Sequence, residues 1–317
     1  MHNKKVVVFG GGTGLSYLLK GLKDFPLDIT AVITVSDDGR STGKLREEFH
    51  APAVGDIRKV LSSLSTSSDN IKNMLEYRFN TTSDLDGHAL GNLILISLLN
   101  ITGSLKESIN ELCILLDIKN KVLPLTEDAN VTLMAEMTDG TIVEGEASIT
   151  KSGKKVKNLF YKEQPRVLNE VKIAVKEADL IIFSMGSLYT SIFPHIISDD
   201  IRKVLDEVKT PIMYLCNIVT QPGETDEFTV SDHVRLINNY LGEHKLDAVI
   251  ASNSKISADM ALKYANEERK DPVKIDYPVL SKLDTEFIEA DLLTIDDNTL
   301  KHHSQKLSAL IFSYLMK

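Results

Sequence analysis

The chain has 317 residues, 43% of them hydrophobic and 26% charged, with no Trp; this excludes a disordered or fibrous protein and leaves room for one large domain or two. Thirty-six basic against 45 acidic side chains give a net charge of −9, a poor match to a nucleic-acid backbone, although it leaves room for a local basic pocket that takes one phosphate ligand. No apolar run approaches the roughly 18 residues of a membrane span, and Met1-His2-Asn3-Lys4-Lys5 leads straight into a strand pattern with no signal-peptide core, so a cytoplasmic protein without a transmembrane segment is expected.

In chain order, apolar runs at 6–9, 31–35, 180–183, 212–216 and 248–251 predict buried strands. Helical periodicity fills the intervals at 15–23, 56–64, 89–100, 105–116, 166–177, 231–241 and 257–266, and Leu307, Leu310, Ile311 and Tyr314 stripe a last helix as core packing. This alternation predicts an α/β fold with a mostly parallel sheet covered on both faces, a three-layer sandwich. Residues 131–137 alternate, Asp139-Gly140 marks a tight turn, and 141–149 alternate again. The expectation is a small antiparallel β-hairpin insertion at about 126–160 within a single nucleotide-binding domain spanning 1–317. Cys113 and Cys216 lie in apolar stretches without CxxC spacing and read as buried, reduced thiols. The histidines lack HExxH spacing, and His302 and His303 would face different sides of a helix, so neither zinc nor haem is expected.

Ligands of open parallel sheets bind beyond the carboxyl ends of the strands, which gives the residues at those ends their weight. The first strand runs into Gly10-Gly11-Gly12-Thr13-Gly14 and a helix, a phosphate cradle in which backbone N–H groups can approach an anion. A tight turn alone accounts for two of the four glycines. The GxGxxG fingerprint fails at Leu15 and no Walker Lys follows, which counts against a nicotinamide-dependent oxidoreductase. The second strand ends in Ser36-Asp37-Asp38-Gly39, where the carboxylates suit ribose hydroxyls or Mg²⁺, with Arg40, Lys44 and Arg46 as local positive charge. Asp56 reads as a helix N-cap, Arg58 as a side chain able to reach inward, and His88 as a structural histidine. Ser184-Met185-Gly186-Ser187 forms a second Gly/Ser loop; Asn217 with Thr220-Gln221-Pro222-Gly223-Glu224-Thr225 follows the fourth strand, and Ser252-Asn253-Ser254 the fifth. Gly186-Ser187 does not make a GxSxG elbow.

Six of these motifs together resemble the gluconeogenesis factor family, relatives of 2-phospho-L-lactate transferase. They are Gly10-Gly11-Gly12-Thr13-Gly14-Leu15, Ser36-Asp37-Asp38-Gly39, Gly55-Asp56-Ile57-Arg58, Gly87-His88-Ala89-Leu90-Gly91-Asn92-Leu93, Gly186-Ser187-Leu188-Tyr189-Thr190-Ser191 and Thr220-Gln221-Pro222-Gly223-Glu224-Thr225. The resemblance implies a Rossmann-like fold and a cytoplasmic regulatory protein that binds a UDP-sugar of the UDP-N-acetylglucosamine kind, linked to gluconeogenic growth, cell shape and wall synthesis. It also implies a homodimer and a cell-wall or metabolic regulatory protein as partner. Carried over by position, Gly12, Thr13, Asp37, Asp38, Asn217 and Tyr264 would lie at or near the nucleotide, with the segment at Lys301 closing the site; Gly10, Gly11 and Gly14 of the glycine turn and Gly186 and Ser187 of the second loop complete the expected ligand set. Were the chain a transferase, Asp37 and Asp38 would be its catalytic and Mg²⁺-holding residues. Three positions depart from the family pattern: Arg40 replaces a small residue, Ser184-Met185 replaces Gly-Pro, and Lys301-His302 replaces Arg-His. Lys offers a phosphate a point charge in place of the planar fork of Arg.

Overall fold

The computed structural model describes residues 3–296 and 298–317; of Arg40 it describes the backbone, and the charge expected from its side chain lies outside the described residues. Three strands come first: β1 (Lys4–Gly10), β2 (Leu27–Ile33) and β3 (Lys121–Pro124). Next, β4 (Leu133–Met137), β5 (Ile142–Glu144) and β6 (Val156–Tyr161) make a separate antiparallel sheet in the order β5-β4-β6. The chain then returns through β7 (Leu180–Phe183), β8 (Ile212–Leu215), β9 (Ala248–Ser252) and β10 (Glu286–Ala290), and closes with a hairpin of β11 (Leu293–Asp296) and β12 (Thr299–His302).

The central sheet has the order β10-β9-β8-β7-β1-β2-β3, and all its pairings are parallel. From β1 the chain winds outward to β3, crosses back to β7 beside β1, and winds outward the other way. The switch point therefore lies between β1 and β7, where their carboxyl ends open a crevice. Consecutive residues of β7 and β8, and of β1 from Val6 onward, are all buried. Successive strand side chains point to opposite faces, so helices must cover both.

All five apolar runs are strands, with β2 starting earlier and ending two residues sooner than 31–35. Its first half alternates exposed and buried residues, a pattern that a continuous-run criterion passes over. The two edge strands, β3 and β10, escape the sequence reading for a related reason. Edge positions tolerate Pro124 and the Glu residues of Glu286–Ala290, which disguise the apolar signal.

The expected antiparallel hairpin forms, as β4 and β5, and the insertion adds a helix and a third strand to it. The turn at Asp139-Gly140 forms, with Asp139 Oδ1 accepting from Thr141 N at 3.0 Å, but the alternating stretch at 141–149 is a strand only over Ile142–Glu144. Gly145, at φ +90°, then turns the chain into a helix, Glu146–Ser152. The third strand, β6, pairs with the other edge of β4.

The last helix, Ser304–Leu315, packs its Leu307–Ile311 stripe into the core against Gly12–Leu22. His302 and His303 do not share a helix. His302 ends β12, its Nε2 hydrogen-bonded to the Cys216 carbonyl at 3.1 Å, and His303 is the N-cap of the last helix. Both cysteines are free thiols; Cys216 is buried and Cys113 half-buried. Among the described residues no helix is long and apolar enough to cross a membrane.

Candidate functional site

The glycine turn sits at the switch point. A Cβ on Gly10 would overlap the Ser184 hydroxyl, and one on Gly14 would overlap the Met185 carbonyl, so these two glycines let the turn pack against the loop after β7. Gly11 and Gly12 face elsewhere. A Cβ on Gly11 would lie 2.8 Å from Asp56 Oδ2, and one on Gly12 3.2 Å from Asp56 Oδ1. Gly12 also takes φ +57°, which bends the chain from strand into helix. The helix Gly12–Leu22 begins with Gly11 as an N-cap that offers no side-chain hydrogen bond, and its first turn carries no acidic residue. Its first N–H groups thus rely on partners from outside the helix, as an anion-binding N-terminus requires.

Carboxylates crowd this turn. Asp56 is not the N-cap of its helix Gly55–Leu64, as the sequence suggests; Val54 holds that place. As the second residue of the helix, Asp56 places its carboxylate against Gly11 and Gly12 and pairs with Lys59 at 3.0 Å. Asp37 Oδ1 accepts the Gly39 N–H at 2.9 Å, and burial, opposed by that hydrogen bond and reinforced by the charge of Asp56, raises its carboxyl above the ordinary range. Asp38 turns the other way. Its Oδ1 accepts the Ala147 N–H at 2.7 Å, holding the start of the insertion helix. That helix in turn brings in Glu146, which faces the Ser36 hydroxyl at 3.4 Å. Burial, then the fields of Asp37, Asp56 and Asp38, raise Glu146 well above a normal glutamate.

The second loop is held from β8. Gly186 N–H donates to Asn217 Oδ1 at 2.9 Å, while Asn217 Nδ2 donates back to the Gly186 carbonyl at 2.7 Å. Ser187 caps the short π-helical turn Leu188–Ile192 by accepting the Thr190 N–H, and its hydroxyl donates to Glu224 at 2.7 Å. Gln221 Nε2 donates to the same carboxylate at 3.0 Å. Burial pushes Glu224 up to about 7 despite these donors, so a proton on this carboxyl is exchanged near neutral pH.

Against this geometry, the family described as 2-phospho-L-lactate transferase CofD matches residues 6–293. The chain belongs to this family. Among curated proteins it is 40% identical to the gluconeogenesis factor of Bacillus subtilis, covering 98% of both chains, and 41% identical to that of Halalkalibacterium halodurans, covering 98% of this chain and 96% of the relative. A crystal structure of a Bacillus halodurans protein superposes with a TM-score of 0.94 at 40% identity, covering 98% of this chain and 99% of that one.

Of the residues singled out by likeness to the CofD family, Gly10 to Gly14, Asp37, Gly186, Ser187 and Asn217 gather at the ends of β1, β2, β7 and β8. Tyr264 and Lys301 belong to a neighbouring arrangement. The buried Tyr264 hydroxyl accepts the Leu300 N–H at 2.8 Å and so anchors the β11–β12 hairpin. Lys301 on that hairpin pairs with Asp296 at 2.7 Å and lies 5.3 Å from the centre of the Tyr17 ring on the glycine helix.

Three basic or histidine side chains have structural employment. Arg46 donates to the carbonyls of Ser36, Asp37, Ala129 and Val131, at 2.8 to 3.2 Å, clamping the insertion to the end of β2 instead of standing free for a phosphate. Arg58 does reach inward, to Asn92 Oδ1 at 3.0 Å and to Glu76. His88 Nδ1 lies 2.9 Å from the Ser41 hydroxyl, as a structural histidine would. Lys44 is exposed. Glu146 carries no local sequence mark of a site residue, because its approach to Ser36 spans 110 positions and depends on the insertion fold. Glu224 and Asp56 stood within recognised motifs but had no assigned place at the site.

Proposed function

We propose that this CofD-family chain is a regulatory protein that binds a nucleotide sugar of the UDP-N-acetylglucosamine kind in the crevice between β1 and β7. The observation that carries the reading is the helix N-terminus at Gly11 and Gly12, without a side-chain cap and placed at the switch point of a Rossmann-order sheet. A pyrophosphate would take the N–H groups there, and the loop at Gly186 and Ser187, held in place by Asn217 and Glu224, would border it. The name gluconeogenesis factor borne by the relatives supports a part in growth on gluconeogenic carbon, with cell shape and wall synthesis as the further reach of the proposal.

The carboxylates qualify how the phosphates are held. Asp37 commits one oxygen to the Gly39 N–H, and Asp38 one to the Ala147 N–H on the insertion helix. Among the described residues no group of three or more His, Cys, Asp or Glu could hold a metal alone. Mg²⁺ commonly takes one or two carboxylates and completes its shell with ligand phosphates and water. Asp37 and Asp56 suit that partial role, in which the ion would neutralise phosphate charge beside Glu146.

A thermal-shift panel with UDP-N-acetylglucosamine, UDP-glucose, NAD and GDP, each with and without Mg²⁺, tests the reading. A ligand at 100 times its Kd should stabilise the fold by roughly 2.7 kcal/mol. The expected result is a shift with a UDP-sugar, and no shift with any of them overturns the proposal.

The crowded carboxylates and the family description also favour a second reading, a Mg²⁺-dependent transferase of phosphorus-containing groups. Product from a nucleotide-activated phospholactate donor and a deazaflavin acceptor, lost in Asp37→Asn, would decide for it.

A further inference from the structure

The glycine helix has a second face. Thr13, Ser16, Lys20 and Lys23 follow one another at helical spacing and, with Lys59 of Gly55–Leu64 and Lys72 of Asp69–Glu76, line a cavity of about 530 Å³. That volume lies within the range of small-molecule sites. Four lysines on one cavity wall are unexpected in a chain of net charge −9.

The acidic residues nearby neutralise them only in part. Asp69 pairs with Lys72 at 3.4 Å while its own side chain is 92% exposed, and Asp56 pairs with Lys59. Glu76 also lines the cavity but is committed to Arg58. Lys20 and Lys23 have no ion-pair partner among the described residues; Lys23 Nζ donates to the carbonyls of Ser63 and Ser65, at 3.1 and 3.5 Å. Burial first, then the charge of Lys72, lowers the Lys23 ammonium, with Asp24 opposing and Lys20 adding to the effect.

We propose that this cavity binds a small soluble molecule carrying two or more phosphate groups, at a site separate from the crevice between β1 and β7. Ammonium groups suit such a ligand because each is a compact point charge with three donors, able to follow phosphate oxygens in different directions. Adjacent phosphates would relieve the repulsion among Lys20, Lys23 and Lys72, which a single monoanion would do less well. The proposal does not rest on the nucleotide-sugar reading. Thr13 borders both places, but none of these three lysines has a part in the crevice.

Titration calorimetry of the full chain with inorganic tripolyphosphate, and with orthophosphate for comparison, tests it. The expected result is saturable one-to-one binding of tripolyphosphate, tighter than orthophosphate and weakened roughly tenfold or more by Lys20→Gln with Lys72→Gln. Any thermal shift caused by a UDP-sugar should be the same in that variant. Lys20 is exposed, so Lys20→Glu carries the test by itself if the double variant fails to fold. Absence of saturable tripolyphosphate binding, affinity unchanged in the folded variants, or mutual exclusion of tripolyphosphate and a UDP-sugar in a competition titration would each overturn the separate site.

Discussion

A Cβ on Gly14 has no place to go. It would meet a backbone carbonyl, that of Met185, which cannot swing aside as the end of a flexible side chain can. Gly14→Ala should therefore lower stability by about 1–3 kcal/mol, read as a fall in the urea midpoint with unchanged slope; an unaltered midpoint would show that the turn does not pack on the β7 loop as described. Glu224 makes a second case at this scale. Its folded-state pKa of about 7 lies above that of an ordinary glutamate, so the folded chain keeps a proton that the unfolded chain releases. The resulting contribution is complete below about pH 4.5 and is lost as pH rises through about 7, amounting to roughly 3 kcal/mol at most. Comparing wild type with Glu224→Gln by denaturation at a series of pH values should show wild-type stability falling relative to the variant across that window. Parallel curves would contradict it.

Among the elements, the insertion is the one whose connection to the site is easiest to break. Asp38 accepts the Ala147 N–H in the first turn of Glu146–Ser152, and that turn carries Glu146 to Ser36. Asp38→Ala should cost about 1 kcal/mol, as loss of a helix-capping carboxylate does, and should speed amide exchange at Ala147 ahead of the central strands. Equal protection in the two proteins would mean that Asp38 does not hold the insertion.

The same element shows why sequence reading is uneven. Central strands were legible because burial on both faces demands unbroken apolar runs, as at Leu180–Phe183. The helix Glu146–Ser152 falls within the stretch expected as strand over 141–149; the strand stops at Glu144, and Gly145 takes the positive φ that leads into the helix. The glycine turn and Gly186-Ser187 were visible because small residues at strand ends leave a local mark. The approach of Asp56 to Gly11, and of Glu146 to Ser36, depends on how distant elements are stacked.

Across the whole molecule, charge is divided unevenly. The chain carries a net −9. Its switch-point crevice gathers Asp37, Asp56 and Glu146 around an uncapped helix N-terminus, while Lys20, Lys23, Lys59 and Lys72, from three neighbouring helices, line a cavity beside it. Such a crevice should hold a phosphorylated ligand more firmly when a divalent cation is present to screen the carboxylates. Titration calorimetry of the wild-type chain with UDP-N-acetylglucosamine, with and without Mg²⁺, addresses this directly. Saturable binding that tightens with Mg²⁺ is the predicted result, and the absence of saturable binding under both conditions would contradict the account.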